Sequence, residues 1–580
     1  MKVLHLLTLI KLKHMRKLIE CVPNFSEGRD MDVINQITSV IESVEGVKLL
    51  DVDPGAATNR TVVTFVGEPE NVVEAAFLAV KKASEVIDMR NHHGEHPRMG
   101  ATDVCPLVPV SGITMEECVE YAHKLGQRIG EELGIPVFCY ESAAKCAERK
   151  NLAVCRAGEY EGLQKRLTEG GCVPDYGPAT FNERVALSGA TAVGARDFLV
   201  AINYNLNTTS TRRANSIAFD VREKGRKKRE GDPIVGKVVK DENGEPVWIP
   251  GTLKGCKAIG WYIDEYGIAQ VSMNVTDITQ TPVHVAFDEV CDKAYARGIR
   301  VTGSEIVGLI PKRVLIDAGK HYLAKQGRSC GIPEGDIIQI AVKSMGLDDL
   351  KPFNPREKVI EYILEDMDKS AKLVDLTCKG FAEETSRESP APGGGSISAY
   401  MGSLGAALGS MVANLSSHKP GWDSRCPYFS EWAEKGEALM YELLHLVDED
   451  TNAFNKIMDA LGMPKGNDAE KAARAAALQA ATLYATQVPL KTMEVSYKVF
   501  DLVEAMAQEG NPNSVSDAGV GALAARSAVL GAFLNVKINA AGLKDRAVAE
   551  SLIKQASEIA DKAQQREQVI LAVVDKKIAE

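Results

Sequence analysis

The chain of 580 residues is too long for one hydrophobic core, so we expect two to four domains. Apolar residues make up 45% and charged residues 25%, values that are typical of soluble globular proteins and exclude a disordered chain. The net charge of -11 argues against nucleic acid as a partner, because binding to phosphates requires a basic face.

The cysteines and the N-terminal residues of the chain bear on the cellular compartment in which the protein is found. The twelve cysteines form no C-x-x-C pair and show no spacing typical of disulfides, which predicts a reducing compartment, the cytoplasm. Residues 1–14 contain a mostly apolar octet between two lysines, but no cleavage site of small residues follows and the run is too short to span a bilayer. We therefore expect Met15 to be the true start and residues 1–14 to be disordered or wrongly assigned.

Short β-branched runs alternate with amphipathic stretches from residue 17 to about residue 346. The pattern predicts strands in "VKLLDVD" and "TVVTFVG" and a helix in "NVVEAAFLAVKKASEVID". A second alternating unit starts at "DFLVAINYNLN". We predict two tandem α/β subdomains of the α+β sandwich type, residues 15–197 and 198–364, with a ligand cleft between them.

The pattern changes after a predicted linker at residues 365–371. Strand-like runs vanish, and long alanine-rich and leucine-rich stretches predict an all-α helical bundle over residues 372–580. Within residues 396–417, small side chains recur every four residues at Ser398, Gly402, Ala406 and Ser410. Such a face lets a second helix approach closely. A membrane span is the alternative, which the hydroxyls and glycines disfavour.

The stretch "NHHGEHPRMGATD", residues 91–103, holds three of the ten histidines. His92 and His96 are four residues apart, which on a helix would suggest a zinc site. Gly94 and Pro97 instead predict a loop, and no third ligand follows, so we expect no metal here.

Charged neighbours of these histidines leave two interpretations open. Glu95, Arg98 and Asp103 can tune or orient an imidazole, which suits general acid or base catalysis near neutral pH. An exposed polar loop without a catalytic role is the alternative.

A second candidate lies in the predicted bundle, where Asp450 interrupts an apolar helical stripe. The other positions of that stripe are Leu439, Leu443, Val447, Phe454 and Met458. A carboxylate on a buried face has a raised pKa, which suits a general acid. A structural carboxylate that caps a neighbouring helix is the alternative, and Asp448 and Glu449 are expected to be solvated.

Several long motifs resemble the formimidoyltransferase-cyclodeaminase family, from Met15 to the C-terminus and in that family's domain order. They include "CVPNFSEGRD", "TNRTVVTFVG", "HHGEHPRMGATDVCPLVPV", "RAGEYEGL", "GATAVGARDFLVAIN", "GWYIDE", "APGGGS" and "GAFLNVKIN". The resemblance implies transfer of a formimidoyl group between N-formimidoyl-L-glutamate and N5 of tetrahydrofolate. It also implies cyclisation of 5-formimidoyltetrahydrofolate to 5,10-methenyltetrahydrofolate with release of ammonia. A glutamate formyltransferase fused to a methenyltetrahydrofolate cyclohydrolase-like domain is the alternative.

The resemblance also implies roles for residues of the first activity. The catalytic histidine of the G-E-H-P motif corresponds to His96, which His92, His93, Glu95 and Arg98 would support. Asp53 would pair with the histidine or the ligand, although a strand-ending turn is the alternative. The implied substrate-binding and folate-binding residues are Asn24, Asn59, Arg60, Gly177, Pro178, Thr180, Phe181 and Gly189.

For the second activity, the resemblance assigns Asp450 as the acid that protonates the departing ammonia. The loop Gly393, Gly394, Gly395 and Ser396 would form part of its pocket. Asp517 and Asn535 are further candidates for that pocket, with a helix cap and a core amide as their alternatives.

Cofactors and partners follow from the same resemblance. Tetrahydrofolate, in its polyglutamylated form, would be the co-substrate, and we expect neither a metal nor a nucleotide. We expect no nucleic acid and no membrane as partners, and a homo-oligomer of dimers assembled into a larger ring. The basic run of residues 222–230 could attract the polyglutamate tail or be a solvated loop, and residues 236–255 are expected to form an inserted surface hairpin.

Overall fold

The computed structural model describes residues 17–55, 59–93, 97–169, 173–233, 235–367 and 372–580. The predictions for residues 1–14, for Glu95 and His96, and for most of the linker therefore lie outside the described residues. The chain forms two compact units. The first ends at Lys312 and also includes Leu347–Leu364, and the second comprises Arg313–Gly346 with Glu365–Glu580. These units divide the chain by packing, and the predicted domain boundaries stay predictions.

The first unit contains a seven-stranded mixed sheet. Its strands are β1 Leu18–Cys21, β2 Asn24–Phe25, β3 Val47–Gly55, β4 Arg60–Gly67, β5 Thr102–Ser111, β6 Val137–Glu141 and β7 Thr191–Ala195. The order is β1-β4-β2-β5-β7-β6, with β3 paired to β4. β7 runs parallel to β5 and β6, while the other pairs are antiparallel.

Helices cover this sheet on both faces. They are α1 Met31–Glu42, α2 Pro69–Val86, α3 Met115–Leu133, α4 Leu152–Cys155, α5 Glu159–Thr168 and α6 Glu183–Ser188. The first three bury Ile37, Val80 and Leu125 against Phe65 of β4. Helices α5 and α6 pack on the other side of the sheet, in a cluster of Phe138, Leu163 and Val185. Because successive side chains of a strand point to opposite faces, the sheet contributes to two separate hydrophobic cores.

A second, antiparallel sheet completes the α/β part of the chain. Its strands are β8 Val200–Leu206, β11 Cys256–Ile263, β12 Ile268–Val275 and β13 Val301–Val307, in the order β11-β12-β8-β13. Helices α7 Thr211–Val221 and α8 Val283–Tyr295 pack on one face. The two short strands β9 Arg226–Lys227 and β10 Trp248–Ile249 pair as a small ribbon, which joins the basic run to the predicted insertion.

The C-terminal part of the chain is helical, as predicted. The remaining helices are α9 Lys312–Lys325, α10 Glu334–Met345, α11 Pro355–Lys358, α12 Ile360–Met367, α13 Cys378–Thr385, α14 Gly394–Ser417, α15 Cys426–Gly462, α16 Asp468–Glu509, α17 Val515–Ala541 and α18 Arg546–Ala579. The long helices α14 to α18 pack on one another around a common apolar core.

The small residues of α14 permit this close packing. A Cβ atom on Gly405 would lie 2.9 Å from the carbonyl oxygen of Gly521 on α17, and one on Gly409 would lie 2.5 Å from Leu502 on α16. The predicted close packing is confirmed, because Ser398 and Ser410 are also buried between helices. By length and apolarity, Gly394–Ser417 and Pro512–Ala541 could also cross a membrane; 61% and 44% of their most apolar windows are buried inside the protein.

Candidate functional site

Asn59 connects three segments of the first unit through its backbone and its side chain. It is buried, and its φ of 48° lies in the left-handed region, which is uncommon for a residue other than glycine. Its Oδ1 accepts the N–H of Gly28 at 3.1 Å, and its Nδ2 donates to the carbonyl oxygen of His93 at 2.9 Å. Its own carbonyl oxygen lies 2.9 Å from Nε2 of His92. The predicted residues Asn59 and His92 are therefore in direct contact.

Arg98 extends this network to the acidic residues of α5. Its Nε donates to Nδ1 of His92 at 3.2 Å, and its Nη2 donates to the carbonyl oxygen of His92 at 3.0 Å. The guanidinium also forms a two-point ion pair with Glu161, at 2.6 and 2.8 Å, and a longer contact of 3.3 Å with Glu159. Only 8% of the Arg98 side chain is exposed. Its guanidinium is therefore held in one position by His92, Glu159 and Glu161.

A cavity of about 390 Å³ opens beside this network. It is lined by His93, Arg98, Gly158, Glu159 and Glu161. Among the described lining residues, two carboxylates stand beside one guanidinium, so these side chains together have a negative charge whenever His93 is neutral. Glu159 has a φ of 54°, a second left-handed backbone at this site. The cavity therefore favours a cationic group over a neutral one.

A smaller cleft shares Arg98 with that cavity. Its wall is formed by Asn24, Phe25, Ser26, Asn59, Arg60, His92, Arg98 and Asp103. Asp103 pairs with Arg156 and accepts the N–H of Met99 at 3.1 Å. Burial raises the pKa of Asp103, and burial together with the charge of Arg156 lowers the pKa of Arg60. The structure thus brings together the predicted residues Asn24, Asn59, Arg60, His92 and Arg98.

Asp53 does not end its strand, because β3 continues to Gly55. It is exposed and lies opposite Val62 of β4, with the guanidinium of Arg60 close enough to interact electrostatically. A strand-ending turn at Asp53 is therefore wrong. Its predicted pairing with the catalytic histidine stays a prediction, because His96 lies outside the described residues.

The two ends of the predicted folate segment lie at different places in the sheet. Gly189 forms an isolated antiparallel β-bridge with Gly100. On either side of it, the N–H of Ala190 donates to the carbonyl oxygen of Met99 at 2.9 Å, and the N–H of Ala101 donates to the carbonyl oxygen of Ser188 at 2.8 Å. This end therefore adjoins the histidine stretch.

The other end of that segment packs on α3. A Cβ atom on Gly177 would lie 2.4 Å from the carbonyl oxygen of Ile135, so only glycine fits its left-handed turn. Pro178 is half-buried, Thr180 is exposed, and Phe181 packs against the core beneath α5 and α6. The structure therefore does not gather these residues around one point.

In the second unit, Asp450 lies against the N-terminus of α14. Its Oδ2 accepts the backbone N–H of Ser396 at 2.9 Å and the Ser396 hydroxyl at 3.2 Å. Burial raises the pKa of Asp450, and the two bonds from Ser396 oppose that rise. Both bonds use Oδ2, while Oδ1 lies against Gly395. Asp450 therefore fits the structural alternative, in which it caps a neighbouring helix.

The glycine loop makes this approach possible. A Cβ atom on Gly395 would lie 2.1 Å from Oδ1 of Asp450, and one on Gly394 would lie 3.2 Å from Nδ2 of Asn535. Gly393 is the N-cap residue of α14. The structure therefore brings together the predicted loop, Asp450 and Asn535, whose Nδ2 also donates to the carbonyl oxygen of Gly531 at 3.0 Å.

Two expectations for this unit are wrong. Asp517 and Asn535 belong to the same helix α17, 18 residues apart, which is a distance of about 27 Å and too long for one pocket within a chain. Asp448 and Glu449 are half-buried rather than solvated. Asp448 accepts the N–H of Leu373 at 2.7 Å, and Glu449 accepts the hydroxyl of Tyr484. Asp448, Glu449 and Asp450 thus each accept hydrogen bonds from a different segment of the chain.

Part of the first site was not predicted from the sequence. Glu159, Glu161 and Arg156 all lie in "RAGEYEGL", and the alternation of charged and small residues in that motif was the available signal. Among the described residues, no three His, Cys, Asp or Glu side chains converge as metal ligands.

Comparison with known protein families gives three matches in sequence order. The N-terminal subdomain of the formiminotransferase domain matches residues 18–196, and the formiminotransferase domain matches residues 201–365. The family described as formiminotransferase-cyclodeaminase matches residues 377–558.

Individual relatives match the whole chain or one part of it. A formimidoyltransferase-cyclodeaminase of Gallus gallus is 41% identical, over 97% of this chain and 100% of its own length. A glutamate formimidoyltransferase of Streptococcus pyogenes is 43% identical, over 53% of this chain and 94% of its own length. A methenyltetrahydrofolate cyclohydrolase of Methylorubrum extorquens is 43% identical, over 31% of this chain and 86% of its own length.

Proposed function

Because this chain belongs to the formimidoyltransferase-cyclodeaminase family, we propose that it is a bifunctional folate enzyme of histidine degradation. It transfers the formimidoyl group between N-formimidoyl-L-glutamate and N5 of tetrahydrofolate, and it cyclises the product to 5,10-methenyltetrahydrofolate with release of ammonia. The observation that carries this proposal is one alignment with a bifunctional relative that continues through both units. Tetrahydrofolate, in its polyglutamylated form, is the co-substrate.

The transfer step needs a group that moves protons. The attacking amine adds to the formimidoyl carbon and loses a proton, while the leaving amine gains one from the same tetrahedral intermediate. The family motif assigns this role to His96, which lies outside the described residues. The family resemblance assigns Asn24, Asn59 and Arg60 to substrate contacts and the segment from Gly177 to Gly189 to the folate.

The charge of the larger cavity favours the formimidoyl substrate over the formyl alternative. A formimidoyl group attached to an amine is an amidine, which is protonated at neutral pH, whereas the corresponding formyl group is a neutral amide. Glu159 and Glu161 line the cavity beside a single guanidinium. The excess carboxylate stabilises an amidinium and gives a formyl group no comparable gain.

In the cyclisation step, N10 of the folate attacks the formimidoyl carbon and forms the new carbon–nitrogen bond. The proton that N10 loses balances the one that the departing nitrogen gains, so the original bond breaks with release of ammonia. Asp450 is suited to deliver that proton, because burial raises its pKa. Gly394, Gly395, Ser396 and Asn535 form the surrounding wall.

Organisation and compartment are also part of the proposal. The transferase subdomains comprise residues 15–197 and 198–364, and the cyclodeaminase domain comprises residues 372–580 after the linker; the three family matches support these boundaries. A cytoplasmic location is supported by the eleven cysteines of the described residues, none of which forms a disulfide there.

Assembly of dimers into a larger ring is supported by an exposed aliphatic face on the helical unit. Exposed side chains at helical spacing on α14 and α17 include Leu404, Met411, Leu415, Leu534 and Ile538. Covering such an apolar face with another subunit lowers the free energy.

The direct test supplies the full-length protein with N-formimidoylglutamate and tetrahydrofolate, and follows ammonia and the near-ultraviolet absorbance of the methenyl product. We expect both signals from the unaltered protein. His96→Ala should abolish the transfer and leave cyclisation of added 5-formimidoyltetrahydrofolate intact. Asp450→Asn should have the opposite effect. Formation of the methenyl product from N-formylglutamate, without ammonia, would favour the formyl alternative instead.

A further inference from the structure

We propose that His92 is a positioning residue of the transferase site and that it works only as a neutral imidazole linking Arg98 to Asn59. This inference rests on the proposed transferase activity. It assigns His92 a role different from proton transfer to the substrate.

The hydrogen bonds determine which ring nitrogen of His92 bears the proton. A guanidinium can only donate, so the bond of 3.2 Å from Nε of Arg98 requires an unprotonated Nδ1. The proton is then on Nε2, which donates to the carbonyl oxygen of Asn59 at 2.9 Å. Both nitrogens are used, and the ring is neutral. His92 therefore has no nitrogen left for the substrate.

Two walls of the cavity depend on the partners of this ring. Asn59 holds the carbonyl oxygen of His93 at 2.9 Å through its Nδ2, and Arg98 holds Glu161 at 2.6 Å. Both His93 and Arg98 line the larger cavity. One imidazole thus connects the backbone of a cavity-lining histidine to an arginine–carboxylate pair that lines the same cavity.

Protonation of His92 would break this link. A proton on Nδ1 would face the Nε–H of Arg98, so the bond would be lost and two positive charges would be adjacent. The titratable and charged groups around the ring are Arg98, His93, Glu27, Arg60 and Asp103. Burial is the largest influence and lowers the pKa of His92; Arg98 and His93 lower it further, while the Asn59 bond and Glu27 oppose them.

The sign of the pH dependence follows from that lowered pKa. The folded protein binds the proton less tightly than a free histidine with a pKa of 6.5, so the linked arrangement is intact above that value. It is lost as the pH falls through the lowered pKa. Transfer should then fail at acidic pH for two reasons, because the proton carrier and His92 must both be neutral.

The test measures kcat and KM of the transfer half-reaction between pH 5 and 8, with the full-length protein. His92→Asn keeps an acceptor near Nδ1, and His92→Gln keeps a donor near Nε2, but neither side chain titrates. We expect the slope of log kcat against pH in the unaltered protein to steepen from about one toward two as the pH falls through the lowered pKa of His92. Both variants should show a slope of about one, with kcat lowered about tenfold at pH 8 and KM changed less than threefold.

His123→Asn is the matched control. His123 is half-buried on α3 of the same unit, burial lowers its pKa, and its Nδ1 lies 3.3 Å from the hydroxyl of Tyr176. We expect this variant to keep the acid limb of the unaltered protein.

The outcomes separate this inference from the proposed function. Folded His92 variants that retain the acid limb and the kcat of the unaltered protein would overturn the inference. Direct assay of the cyclodeaminase activity and a melting curve show whether each variant is folded. If the unaltered protein transfers no formimidoyl group at any pH, the proposed function fails first.

Discussion

Glu159 is the side chain through which the first site can distinguish an amidine from a formyl group. It follows Gly158, and both residues have left-handed backbones, which direct the start of α5 toward the cavity. Its carboxylate lies 3.3 Å from Arg98, whereas Glu161 neutralises that guanidinium at 2.6 Å. Glu161 therefore balances Arg98, and Glu159 supplies the excess negative charge.

Replacing Glu159 with Gln should change substrate preference more than catalysis. We expect kcat/KM for N-formimidoylglutamate to fall about fivefold, on the order of 1 kcal/mol, because a partly exposed charge interaction has about that strength. Any activity toward N-formylglutamate should change less, since its formyl group is a neutral amide. The measurement is a comparison of both substrates in the transfer assay.

Glu148→Gln is the control for this experiment, because Glu148 is an exposed acid of the same unit and does not line the cavity. It should leave both kcat/KM values unchanged. An equal loss on both substrates in Glu159→Gln would contradict a role in charge recognition.

Among the elements, the N-terminus of α14 holds the residues of the proposed cyclodeaminase site. The helix begins with consecutive glycines, and the side chain of Asp450 from α15 occupies the space that a Cβ on Gly395 would fill. The same carboxylate accepts the N–H of Ser396. A helix N-terminus stabilises a nearby negative charge, so the element holds Asp450 and opposes its protonation at the same time.

Gly395→Ala should therefore damage one activity of the protein and spare the other. The new Cβ would lie 2.1 Å from Oδ1 of Asp450, so the carboxylate must move away from Ser396. We expect cyclodeaminase kcat to fall at least about tenfold and the free energy of unfolding to fall by about 1–3 kcal/mol, the usual cost of overpacking. Transfer should be unchanged. Activity assays and thermal melting measure these effects.

Gly462→Ala at the end of α15 is the matched control, because a Cβ there would meet no atom within 4 Å. It should preserve both activities and the melting temperature. Full cyclodeaminase activity in Gly395→Ala would show that the Ser396–Asp450 contact is not needed for catalysis.

At the scale of the whole molecule, each proposed site uses residues of one compact unit. The transferase cavity is lined by residues 93–161, and the cyclodeaminase wall by residues of α14, α15 and α17. The two proton-handling groups thus belong to separate folding units, and a defect in one site should not remove the other.

A mixture of His96→Ala and Asp450→Asn proteins should therefore recover the complete reaction. We expect ammonia and methenyl product from N-formimidoylglutamate and tetrahydrofolate, after a lag while the intermediate accumulates in solution. Either variant alone should give no ammonia. If the mixture also gives none although each half-reaction is active, the intermediate does not pass through solution between proteins.

The sequence determined the family, the change from α/β to helical architecture, and the small-residue face of α14. These features are local: strand and helix periodicity, helix-breaking residues and long motifs are all present in neighbouring positions. The burial of Asp450 was predicted in the same way, because a helical stripe has a fixed period. The comparisons confirm the family, whereas the structure shows Asp450 only half-buried and leaves Phe454 and Met458 of the predicted stripe exposed.

The tertiary structure alone decided the contacts between distant segments. The pairing of Arg98 with Glu161, the cap that Asp450 makes on Ser396, and the separation of Asp517 from Asn535 all depend on how helices and strands pack. Glu20 shows why. Between Ile19 and Cys21 it has the alternation of a solvent-facing strand residue, yet it is buried, and its pKa rises to about 7. Periodicity gives the face on which a side chain lies, and only packing determines what covers that face.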